Sequence, residues 1–167
     1  MPVRRARVDR MRRSRNNSGL GAVTDDPVAI VNRAQREAAL AVRERDRLGL
    51  RQAAEKGWLA ASGAGDVAAA GLGKKAPGGA NGRLDALEDL ERVARLRPGT
   101  LTATFVSAQA FLHGQCFHAD ECRSESAVFG MLDDVKEMSR ATKAALKTPR
   151  VQRAARARAG RMKDDGV

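Results

Sequence analysis

The densest group of reactive side chains in this 167-residue chain lies between His113 and Cys122. Both histidines (His113, His118) and both cysteines (Cys116, Cys122) fall inside ten residues, with Asp120 and Glu121 among them. As a metal centre the run reads His-x2-Cys-x-His-x3-Cys. Structural zinc takes four nitrogen or sulfur ligands at tetrahedral geometry. His113 and Cys116 can share a helix face, but His118 and Cys122 would have to fold back from a turn. The spacing matches no zinc motif, and one short loop seldom supplies all four ligands. The expectation is therefore no metal and no cofactor: a helix end with a buried cysteine, a hydrogen-bonded histidine and a solvated acidic turn. Oxidative pairing of Cys116 with Cys122 is the other option. It conflicts with the cytoplasmic setting expected of a chain without a secretory signal or a membrane-spanning apolar run.

Other segments offer weaker chemistry. Gly63-Ala64-Gly65 sits inside a helical pattern, not after a strand, so it fails the context of a dinucleotide fingerprint. Gly71-Leu72-Gly73-Lys74-Lys75 lacks the spacing and the Ser or Thr of a phosphate loop; both stretches read as linker or packing glycines. Asp133 and Asp134, and Asp85, Glu88 and Asp89, are expected on solvated helix faces. Trp58 is the only tryptophan and reads as a core or interface anchor.

Charge is segregated. Residues 1–15 hold seven arginines (Arg4, Arg5, Arg7, Arg10, Arg12, Arg13, Arg15) against one acid. Residues 140–167 hold nine Lys or Arg against two acids, including Lys147, Arg150, Arg153, Arg156, Arg158, Arg161 and Lys163. The stretch between them is close to neutral, although the whole chain carries +11. Cationic arms release counterions from phosphates and so favour nucleic acid, RNA or DNA, without reading its sequence. No aromatic residue is interleaved with the arginines, so base stacking is not indicated.

The elements that must carry these residues are helical. Thr24-Asp25-Asp26-Pro27 starts a first helix, with an Asp as cap and Pro in the first turn. It is expected to run to about Leu48, with Val31, Ala34, Ala38, Ala41 and Leu48 inward, until Gly49 breaks it. A second helix spans about 50–72, with Leu50, Ala54, Trp58, Ala61, Ala68 and Leu72 on one face. Its glycines cost up to ~1 kcal/mol each relative to Ala, a cost offset by close approach of a neighbour. Further helices are expected over 83–97, from Thr100 to fraying at Cys116–His118, and from a Ser124 cap until Pro149. No strand pattern or repeat is visible. The fold class is all-α: an antiparallel four- to five-helix up-down bundle over 24–148, between a disordered basic arm (1–23) and a basic C-terminal tail (149–167). A core of Ala, Leu, Val and Met buries little area per residue, so a homodimer is expected to supply the rest.

The run from Leu50 to Ala61 (LRQAAEKGWLAA) resembles the second helix of the HEPN-domain family. Phe111-Leu-His113-Gly-Gln-Cys-Phe117, a polar turn and then Val128, Leu132 and Val135 resemble a later pair of helices, so that the resemblance covers about 27–146. It implies a dimerising helical bundle that is either a metal-independent ribonuclease of toxin–antitoxin or defence systems, or a member without the chemistry, with a nucleotidyltransferase-type protein as a possible partner. The family's nuclease signature is an Arg, four to six residues, then His. Here Val106, Ser107 and Ala108 precede His113, and Phe111, Leu112 and His113 precede His118. The signature arginine is absent, which leaves a developing phosphorane charge unstabilised. The expected function is thus a non-catalytic nucleic-acid-binding and oligomerisation module, with no membrane partner. The alternatives are a ribonuclease using His113 or His118, and an assembly or packaging protein.

Overall fold

In the computed structural model, residues 26–122 and 124–164 are described, with side chains through Arg161. The arm 1–23, with Arg4, Arg5, Arg7, Arg10, Arg12, Arg13 and Arg15, lies outside the described residues, as does the side chain of Lys163. The described residues are all-helical: α1 (Pro27–Glu44), α2 (Arg47–Gly71), α3 (Ala80–Ala94), α4 (Thr102–Ala108), a π-helical segment continuing it (Gln109–His118), α5 (Glu125–Leu146) and α6 (Pro149–Asp164).

Caps explain most of the boundaries. Asp26 accepts from the Val28 N–H at 3.0 Å and starts α1; Ser124 accepts from the Ala127 N–H at 3.1 Å and starts α5. The break after α1 falls before Gly49. Arg45 adopts the left-handed conformation (φ 56°), and Asp46 caps α2 by accepting from the Gly49 N–H at 3.0 Å. Gly49 is thus part of the first turn of α2, and Leu48, expected inward on α1, is 59% exposed on α2. α4 has no side-chain cap of its own. Glu91 of α3, buried at 5% exposure, accepts from the Leu101 N–H at 2.5 Å and the Thr102 N–H at 3.0 Å instead.

Side-chain pairs set the helix directions. Glu37 with Lys56, and Pro27 against Gly63, make α1 and α2 antiparallel. Asp26 with Lys143, and Gln35 with Asp133, make α1 and α5 antiparallel. Gly57 lies against Leu132 and Gly71 against Leu146, so α2 and α5 run in parallel as the diagonal of the bundle. A Cβ at Gly57 would meet the side chain of Leu132 and would lie 2.9 Å from that of Leu112. That contact confirms the close approach expected from the α2 glycines. The core is alanine on the α1–α2 side (Ala34, Ala38, Ala53, Ala54, Ala60, Ala61 fully buried) and larger toward α4 and α5 (Phe105, Leu112, Leu132, Val135).

The C-terminal basic segment is the main departure. Expected as a tail, residues 149–164 form α6. Pro149, expected to stop α5, stands at the first position of a new helix, where its missing N–H costs nothing. Val151 is fully buried, and Arg158 donates to the Leu72 carbonyl at 3.3 Å. One apolar residue and one arginine anchor suffice to lay an Arg/Ala helix on the body.

Candidate functional site

α2 presents Arg47, Arg51 and Glu55 at successive four-residue steps, one beneath another on one face. The π segment lies against that face. In an α-helix, residues five apart point about 140° away from each other. In a π-helix the hydrogen bonds run i→i+5, so residues five apart stack. This is why His113 and His118 meet. Their Nε2 atoms are 3.2 Å apart, and their rings lie edge to face with centroids 4.4 Å apart.

Glu55 completes a relay. Its Oε2 lies 2.8 Å from His113 Nδ1. A carboxylate accepts only, so Nδ1 carries the proton and the Nε2 lone pair of a neutral His113 faces His118 Nε2–H, an assignment made from the network. The inner end is sheltered, with Glu55 and His113 side chains 23% and 33% exposed, and the outer end at His118 is open to solvent. Trp58 flanks the His113 ring at a centroid distance of 5.5 Å, and Phe117 stacks on it at 6.4 Å and 12°. A carboxylate-oriented imidazole ending on an exposed one can take or give a proton at its outer nitrogen.

One turn along α2 from Glu55, the Arg51 guanidinium donates through Nη2 to the Phe117 carbonyl at 2.6 Å. Its Nε lies 3.5 Å from Asp120 Oδ1, and Arg47 Nη2 lies 3.9 Å from the same oxygen. Arg47, Arg51 and Asp120 wall an open cleft of about 640 Å³ that also takes in Cys122, Ser124 and Ser126. Neither histidine lines it; Arg51 joins the two features.

The cysteines depart from expectation. Cys116 and Cys122 form a disulfide, with Cα atoms 4.2 Å apart. The chain turns back after the π segment, and the turn brings together sulfurs that a helix would have separated. Neither is a thiolate ligand, and His113 and His118 are engaged with Glu55 and with each other. The four weak metal candidates therefore do not converge on one point. Among the described residues no group of three or more His, Cys, Asp and Glu is placed to hold a metal ion.

The other candidate site is α6. Between Pro149 and Arg161 it holds five arginines and no acid. Arg150, Arg153, Arg156 and Arg161 are exposed, as is Lys147 just before the helix. Arg158 is turned inward instead, with Nη2 3.5 Å from Asp89 Oδ2. Asp89, expected on a solvated face, is a hub that also pairs with Lys74 and Arg92. Burial pushes its carboxyl pKa up, but the bonds from Lys74 and Arg92 outweigh that and hold it below the ordinary 3.8.

Sequence reasoning reached His113, His118 and the α6 arginines but missed Glu55, Arg51 and Asp89. For Arg51 and Glu55 the signal was the four-residue step Arg47–Arg51–Glu55, which on an amphipathic helix is indistinguishable from a solvated stripe; Asp89 carried none beyond the acidic face of α3. No family model matches the chain, and no curated protein or solved structure is significantly similar to it.

Proposed function

We propose that this chain is a HEPN-like helical module that binds nucleic acid through its basic surfaces. The observation that supports it is the one-sided arginine stripe of α6. Arg150, Arg153, Arg156 and Arg161 are exposed, while Val151 and Arg158 face the body. A docked helix holds its charges at fixed spacing, which lowers the ordering cost of binding relative to a free tail. The seven arginines of residues 1–15 add a second source of cations. Homodimerisation through the exposed Leu40, Leu48 and Leu59 fits the small alanine core. A nucleotidyltransferase-type partner and a cytoplasmic location belong to the same reading.

The test is anisotropy of labelled RNA and DNA strands across a salt series. Four engaged arginines give a log–log salt slope of about −3 on a single strand. Replacing Arg150, Arg153, Arg156 and Arg161 by Gln should remove that part of the slope. An unchanged slope and affinity would reject α6 as the contact surface.

A second reading is supported by the Glu55–His113–His118 relay: a ribonuclease in which His118 or His113 takes the 2′-hydroxyl proton. Arg51, from α2 of the same chain, would stand in for the missing signature arginine by stabilising phosphorane charge. RNA incubated with the parent protein, His113→Ala and Glu55→Gln separates the readings. Cleavage that falls in both variants favours the enzyme; no cleavage above background favours binding alone.

A further inference from the structure

The Cys116–Cys122 bond closes a ring of the chain around three groups, two of which meet α2 and one the other histidine. The Phe117 carbonyl accepts from Arg51, His118 meets His113, and Asp120 faces Arg51 and Arg47. Asp120 takes the left-handed conformation (φ 56°), which Asp adopts more readily than most residues and which turns the chain back after the π segment. The ring also ends the π segment. A π register is rare, and it persists where something other than backbone preference holds it. The backbone bond at its end from the Ala119 N–H to Gly114 belongs to that wide register, and the Glu121 N–H reaches one residue further back, to Gln115, as the chain turns. The α register needs only a one-residue change of hydrogen-bond partner, and it would carry His118 about 140° around the helix from His113.

We propose that the disulfide is a thiol-responsive clasp, with Cys122 as the reacting sulfur, that keeps the segment 109–118 in the register that pairs the two histidines. Cys116 is fully buried and Cys122 is only partly so, beside the open cleft of Arg47 and Arg51. An incoming low-molecular-weight thiolate attacks Cys122 Sγ, and the S–S bond breaks with its electron pair on Cys116, which takes up a proton. A second thiolate attacks the external sulfur of the mixed disulfide and releases Cys122 as thiolate. Two equivalents of thiol leave as one external disulfide, so two electrons pass to the protein. With the clasp open, the segment relaxes toward α-helix and His118 leaves His113. The clasp acts on the histidine pair whether that pair cleaves RNA or not.

The chain has two cysteines and two histidines, so both readouts are uncrowded. The full chain is measured with and without dithiothreitol, beside Cys122→Ser. Without reductant, thiol titration should find no free thiol, and the ring protons of His113 and His118 should show a cross-relaxation peak. With reductant, two thiols per chain should appear and that peak should vanish, with the helical circular dichroism retained. Cys122→Ser should lack the peak from the start, and reductant should not change it. Free thiols in protein never exposed to reductant would overturn the proposal. So would a peak that survives reduction or the Ser variant. Loss of the helical signal on reduction would also overturn it, because the bond would then be a general staple and not a local clasp.

Discussion

The two ends of α2 are built from different materials. Toward its N-terminus it meets aromatic rings, a carboxylate, two imidazoles and a disulfide, joined by directional bonds of 2.6–3.2 Å. Toward its C-terminus lie a loop, Asp89 of α3 and a helix of arginine and alanine that packs on α3 and α5 and reaches the end of α2 through the Arg158 bond to the Leu72 carbonyl. Glu55 and Leu72 stand about 25 Å apart along the axis, at 1.5 Å per residue. Proton-moving groups need fixed angles, and the π turn, the ring of Cys116–Cys122 and the Trp58 wall provide them. A polyanion grip needs only unpaired cations that can reach phosphate. One bundle carries both, near opposite ends of α2, and changes at one end should leave the other nearly untouched.

The largest expected effect is at the middle of α2, which both ends share. Leu132→Ala empties a fully buried site against Gly57 and should cost about 2–5 kcal/mol in denaturant unfolding, loosening both ends together. Gly57→Ala should cost about 1–3 kcal/mol despite better helix propensity, because its Cβ has no room beside Leu132 and Leu112. A stabilised Gly57→Ala would mean that α2 and α5 are further apart than described. Val151→Asp should act at one end only. It should free α6, raise the rate of proteolytic cleavage after Lys147 and Arg150, and leave the His113–His118 contact intact. If the histidine contact is lost as well, the ends are coupled.

Asp89 sharpens the same contrast through pH. A carboxyl whose pKa folding lowers adds stability above its ordinary value, here 3.8, and loses it as pH falls through the lowered value. The bonds that lower it come from Lys74 and Arg92, so the hold of Asp89 on the loop after α2 should weaken below about pH 4, read as faster amide exchange around Lys74, whereas Asp89→Asn should be loose there already at neutral pH. The effect is on the order of 1 kcal/mol, since the surrounding salt bridges are partly open to water. The smallest change belongs to Leu48→Ala. At 59% exposure it should alter stability by no more than about 0.5 kcal/mol, where an inward Leu48 would have cost several times that.

These contrasts also mark what was legible in the residues. The capping Asp26 and Ser124, the α2 stripe from Leu50 to Leu72, and the stripe Leu101–Phe105–Ala108–Leu112 follow from short-range rules, and the all-helical bundle follows from them. The boundary at Arg45–Asp46 was hidden because Gly49 is the louder signal, although an Asp cap outweighs a glycine in the first turn, where Gly49 leaves room for the Asp46 carboxylate. The relay was hidden for a different reason. His113 and His118 are five apart, which has no meaning at a 3.6-residue period, and Glu55 becomes a partner only once the helix widens. The disulfide was set aside on grounds of compartment, whereas the turn after the π segment decides it. For α6, a single Val151 among arginines carries too little periodicity to announce a docked face.

Hydrogen exchange of the full chain, with and without saturating single-stranded RNA, most directly separates the two ends. Slowed exchange across 149–161, with little change over 109–118, is the expected result. Slowing confined to the π segment, with α6 unchanged, would contradict the assignment of nucleic-acid binding to the basic helix.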